Sequence, residues 1–136
     1  MFGQMRVGFD NPATVPAPVG RYSHVARVEL GDGALLLVSG QLALDDDGKL
    51  AGGEDMGAQT DRVFEILGGI LAAHGAGFGD VVSIRTFLTD MDRLGDYAGA
   101  RAGHLATPPP ASTTVEVISL AVPGALVEVE LVAAVS

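Results

Sequence analysis

A chain of 136 residues with 48% hydrophobic content is expected to form one domain, residues 1–136, with a core of its own. The formal charge is −9, from 17 Asp plus Glu against 8 Lys plus Arg, and Lys49 is the only lysine. That balance argues against nucleic acid and anionic membrane as partners, because gripping phosphates needs a basic patch. The chain has no cysteine, which excludes disulfides and thiolate metal sites.

The first sixteen residues lack the basic start and apolar core of a signal peptide. No apolar run approaches the ~20 residues that span a bilayer. A cytoplasmic location is therefore expected. Residues 1–20 hold Pro12, Pro16 and Pro18. Proline has a fixed φ and no amide donor, so this stretch reads as an extended arm.

Val25–Leu30 and Ala34–Ser39 are apolar segments on either side of Gly31-Asp32-Gly33, and read as a hairpin. Residues 42–53 are polar and read as a loop. Asp55 can cap a helix running to about His74, with Val63, Ile66, Leu67, Ile70 and Leu71 forming one apolar stripe. Val81–Thr89 is rich in β-formers. A second helix is expected from about Asp92 to Leu105, closed by Pro108-Pro109-Pro110. Thr113–Ile118 and Ala125–Val135 alternate with period two and read as the last strands.

The resulting order, β-β-α-β-α-β-β, predicts an α+β domain with two helices on one face of a sheet. The opposite face of so apolar a chain needs a cover, and a further copy of the chain could supply it.

Several chemical motifs fall away on inspection. Gly75-Ala76-Gly77-Phe78-Gly79-Asp80 follows a helix and precedes a strand, the reverse of a dinucleotide loop, so it reads as a turn. His24, His74 and His104 match no metal-ligand spacing, and no metal site is expected. His24 reads as a surface residue at a strand entry. Ser39 has Leu37 where a nucleophile elbow needs glycine. Glu128 and Glu130 share one strand face, where a carboxylate is either solvated or able to orient and deprotonate water.

One family resemblance spans most of the chain, from Tyr22 to Val135. It is carried by Tyr22-Ser23, by VSGQ at 38–41, and by Gln59-Thr60 with the Val63–Leu67 helix core. VVSIRTFLTDM at 81–91, PASTTVEV at 110–117 and ALVEVELVA at 125–133 continue it. These stretches resemble the Rid family, the YjgF-like reactive-intermediate deaminases. The resemblance implies a chorismate-mutase-like fold, a homotrimer with ligand clefts between subunits, and hydrolysis of imines or enamines without a cofactor.

By the same resemblance Glu128 is the catalytic, water-positioning carboxylate. Tyr22, Ser39 and Gly40 match cleft-lining positions, and Ser112 and Thr114 supply hydroxyl contacts to a small-molecule ligand. Ser112 stands where deaminating members carry the arginine that grips the substrate carboxylate. Ala98 stands where an asparagine is usual. A hydroxyl cannot replace a bidentate ion pair, so the implied substrate is an imine or enamine other than a short 2-imino acid. Arg21 and Arg101 are the candidate substitutes for that charge. A non-catalytic module binding a small molecule in the same clefts is the alternative reading.

Overall fold

The computed structural model describes residues 5–136. Its elements are β1 (Met5–Asp10), β2 (Val25–Leu30), β3 (Gly33–Gln41), α1 (Met56–Ala73), β4 (Val81–Leu88), α2 (Leu94–Ala102), β5 (Ala111–Glu116) and β6 (Val127–Val135). Short 3₁₀ turns at Phe78–Asp80 and Met91–Arg93 lead into β4 and α2. The six strands form one sheet in the order β1-β2-β3-β6-β4-β5. All neighbours are antiparallel except β4 and β5, which α2 joins as a parallel pair.

One expectation is corrected. The N-terminal arm is extended, but its residues 5–10 form a sixth strand paired along the whole of β2. The prolines lie beyond that strand, so they do not interrupt its ladder. Residues 1–4 of the arm lie outside the described residues.

The hairpin is tightened by Gly31, whose φ of 58° lies in the left-handed region. It therefore serves as the first of two turn residues, ahead of Asp32. Asp55 caps α1 as expected, its side chain accepting from the Ala58 amide at 2.9 Å. Gly75, with φ 71°, ends the helix region. The glycine-rich stretch after it is a turn, with the Gly77 amide held by the Asp80 carboxylate at 2.9 Å.

The core lies between the sheet and the two helices. Val63, Phe64, Leu67, Ile70 and Leu71 of α1 meet Leu36, Ile84, Val127, Val129 and Ala133 of the strands. Alternate strand residues point to the other side of the sheet. There Met5, Val7, Phe9, Leu30 and Leu37 are exposed. No element of the described chain covers this apolar face.

His24 departs from its expected surface position: it is 1% exposed, and its Nδ1 has no hydrogen-bond partner. Burial holds its pKa below the ordinary histidine value, opposed by a backbone hydrogen bond at Pro16 and the charge of Asp10. The folded chain thus keeps His24 neutral where the unfolded chain takes up a proton. Stability from this group is complete above pH ~6.5 and is lost as pH falls toward the folded pKa. Urea midpoints should fall between pH 7 and pH 5.5, and fall less in His24→Leu. An equal loss in both proteins would assign the acid sensitivity elsewhere.

The other histidines have structural partners. His74 Nε2 lies 3.0 Å from Asp10 Oδ2, and His104 Nε2 lies 2.9 Å from Asp61 Oδ1. The His104 ring also stacks on Phe64.

Candidate functional site

The VSGQ segment carries a β-bulge. Val38 opposes Leu131 and Gln41 opposes Val129, so β3 spends one residue more than β6 between those pairs. Gln41 Nε2 donates to the Ser39 carbonyl at 3.0 Å and closes the irregular step. Ser39 Oγ donates to the Ser23 carbonyl at 2.6 Å, and the Ser39 amide donates to the His24 carbonyl at 2.9 Å. Ser39 therefore pins the segment that carries Tyr22.

Gly40 sits directly against Glu128. A Cβ at position 40 would fall 2.8 Å from Glu128 Cδ and 3.0 Å from Oε2. Only a glycine lets this carboxylate lie across β3 without being displaced. Glu128 is half-buried and forms no ion pair among the described residues. Burial raises its pKa above the usual carboxylate range, and the nearby Glu130 raises it further.

Glu130, two residues along, is in a different state. Arg85 Nε holds its Oε1 at 2.8 Å. The two glutamates that the alternation put on one face are thus a paired carboxylate and a free one. The free one, Glu128, has its charge unsatisfied and its affinity for a proton increased.

A cleft of about 670 Å³ opens on the exposed sheet face beside this pair, lined by Phe9, Tyr22, Ser39, Arg85, Thr113 and Glu130 among others. Ser112 and Thr114 are not in it. Successive β5 residues point to opposite faces, so Thr113 joins the open-face cleft. Ser112 and Thr114 line a second groove between α2 and β5. The expected site residues are therefore divided: Tyr22 and Ser39 line the open-face cleft, Gly40 and Glu128 lie against each other outside its lining, and Ser112 and Thr114 line the other groove.

The two candidate cations also separate. Arg21 is exposed and has no ion pair among the described residues. Arg101 reaches position 112, its Nη1 donating to Ser112 Oγ at 2.9 Å. Thr113 and Arg85 were missed in the sequence. The signal for both was their place in the strand alternation, which needs the pairing of β4 with β5 and β6 to be read. No group of three or more His, Asp or Glu among the described residues is placed to hold a metal ion.

A six-stranded sheet backed by two helices is an arrangement shared with solved structures of one family. The endoribonuclease L-PSP family model matches residues 13–135. RidA from an Antarctic Psychrobacter is 33% identical, with a TM-score of 0.75 over 88% of this chain and 92% of that one. YyfA of Yersinia pestis, a Rid-family protein, is 28% identical, with a TM-score of 0.84 over 96% of this chain and 100% of that one. Protein DfrA of Myxococcus xanthus is 36% identical over 121 residues, covering 87% of this chain and 88% of DfrA. A RutC family protein of Saccharolobus solfataricus is 33% identical over 105 residues, covering 77% of this chain and 80% of that protein. The chain belongs to the YjgF/RutC/Rid family, which the endoribonuclease L-PSP model describes.

Proposed function

We propose that this protein is a cytoplasmic homotrimer whose clefts between copies hydrolyse an imine or enamine to a carbonyl product and ammonia. The observation that carries the proposal is the unpaired Glu128 carboxylate, half-buried across Gly40 with its proton affinity raised. The division of the other residues supports sharing between copies. Tyr22 and Ser39, on the sheet face that Glu128 shares with Glu130, form one wall in this scheme, and Ser112 and Thr114 of the next copy form the other.

Glu128 in this scheme positions a water and takes its proton as the water oxygen attacks the imine carbon. The proton then passes to the nitrogen, giving a carbinolamine; its hydroxyl proton follows to the same nitrogen through Glu128, and as the carbonyl forms the carbon–nitrogen bond breaks and ammonia leaves. Elements of water are added and no electrons are exchanged, so the residues of the chain carry the whole step. No helix among the described residues is long and apolar enough to cross a membrane.

Position 112 limits the substrate. A charge-assisted pair supplies about 1.5–3 kcal/mol, so a neutral hydroxyl there lowers turnover of short aliphatic 2-imino acids at least about tenfold. The test generates such imines in situ and follows ammonia release beside an arginine-bearing family member. Turnover equal to that of the relative would show that the substrate range includes short 2-imino acids. No ammonia release from any imine or enamine tested, combined with tight small-molecule binding, would favour a non-catalytic binding module.

A further inference from the structure

We infer that residues 11–18 form an acid-released strap, closed over the core while His24 is neutral and lifted from it when His24 takes up a proton. This device goes beyond the proposed imine chemistry and does not depend on it.

Residues 11–24 connect β1 to β2. Asp10 and Val25 are paired across the two strands, so the connection leaves and re-enters the sheet at one point, as an Ω-loop does. Such a segment opens without breaking a ladder. Its second half is pinned, because the Ser39 hydroxyl and amide hold the Ser23 and His24 carbonyls. Its first half rests on the core. Pro12 and Pro16 are buried, and Val15 packs against the core residues. Gly69 of α1 makes room for that contact, since a Cβ there would fall 2.7 Å from Val15 Cγ1. Backbone bonding adds little. Pro12, Pro16 and Pro18 have no amide to donate, and the Val15 amide reaches the Pro12 carbonyl at a long 3.4 Å.

His24 joins the two halves. Its amide donates to Asn11 Oδ1 at 2.8 Å, and the Pro16 backbone is hydrogen-bonded to its ring. Nδ1 is buried with no partner among the described residues. A neutral imidazole has one nitrogen without a hydrogen, whereas the protonated ring has a hydrogen on both. Protonation therefore places a charged N–H in the core with no acceptor, which is costly until water reaches it.

The charges around the ring do not remove that cost. Asp10 on β1 favours the protonated ring. Asp10 is also 3.0 Å from His74 Nε2 at the end of α1, and His74 Nδ1 lies 3.5 Å from Arg27 Nη1 on β2. β3 has no titratable side chain, and Arg21 and Tyr22, on the same segment as His24, are exposed. None of these groups bonds Nδ1, and burial outweighs Asp10, so the ring stays neutral beneath the closed strap. Lifting residues 11–18 admits water to Nδ1 and returns His24 toward its ordinary value of ~6.5. Protons then bind the open form more tightly, and acid below that value draws the equilibrium toward it.

The experiment is amide hydrogen exchange at pH 7 and pH 5, corrected for intrinsic rates, with the NMR contact between the Val15 methyls and the Gly69 α protons. Exchange of the amides at positions 15 and 24 should rise at least about fivefold in acid, and the Val15–Gly69 contact should weaken. The β2–β3 ladder should keep its protection. His24→Gln cannot take up the charge and should abolish the rise. Gly69→Ala displaces Val15 and should open the strap already at pH 7. No rise in the wild type, an equal rise in the β2–β3 ladder, the same rise in His24→Gln, or an unchanged strap in Gly69→Ala would each overturn the inference. Where His24→Gln does not fold, the wild-type chain decides: the rise must follow the titration of the His24 Cε1 proton, and a different midpoint would overturn it. None of these readouts involves turnover, so the strap and the Glu128 chemistry stand or fall separately.

Discussion

Glu128→Gln should lower imine hydrolysis by at least tenfold, and by as much as about 10²–10⁴-fold if proton transfer limits the rate. The amide keeps the shape of the side chain but is no longer a useful proton acceptor. It also fits the space above Gly40 that a Cβ would close. Ligand affinity should therefore change little while turnover falls. Since burial and Glu130 raise the Glu128 pKa, wild-type turnover should decline on the acid side as this carboxylate takes up its proton. Ammonia release measured across pH, paired with calorimetry on a bound product, checks both statements. Unchanged turnover in Glu128→Gln would remove this residue from the chemistry.

Gln59→Leu is expected to have the largest effect on stability. Gln59 is fully buried, and its side chain makes three hydrogen bonds to distant backbone. Nε2 donates to the carbonyls of Gly53 at 2.7 Å and Gly124 at 3.1 Å, while Oε1 accepts from the Leu126 amide at 2.8 Å. These bonds tie α1 to the loop before it and to the entry of β6, two residues before Glu128. Leucine fills a similar volume but leaves the Leu126 amide and two carbonyls without partners. The cost should be about 2–4 kcal/mol, since unmade buried hydrogen bonds are charged nearly in full. Thermal unfolding should shift down by about 10 °C for a chain of this size. A shift under about 2 °C would mean that water or a relaxed backbone replaces those bonds.

Local periodicity accounts for most of the fold that could be read in advance. The α1 stripe, the Asp55 cap and the alternation in β6 are short-range signals, and each matches the structure. β1 was harder to see, although Met5, Val7 and Phe9 alternate with Arg6, Gly8 and Asp10. Neighbouring prolines made the whole segment read as an arm, and only the ladder to β2 defines it as a strand. The start of α2 was similarly displaced, because Met91–Arg93 winds as a tighter turn before the helix.

The candidate site was legible in part for the same reason. Alternation put Glu128 and Glu130 on one face, and the family resemblance singled out Glu128. Which of the two is paired depends on Arg85 of β4, a contact set by strand order. The separation of Ser112 from Thr113 follows from strand alternation, but their surroundings depend on how α2 crosses the sheet edge. The Arg101–Ser112 contact belongs to that crossing and has no local signature.

The account depends on the apolar sheet face being covered by further copies, since only then do Glu128 and Ser112 meet in a shared cleft. Light scattering coupled to size exclusion tests this directly at micromolar concentration. The account predicts a mass about three times the 13.9 kDa of one chain. A mass equal to a single 13.9 kDa chain would contradict it, and the shared cleft with it.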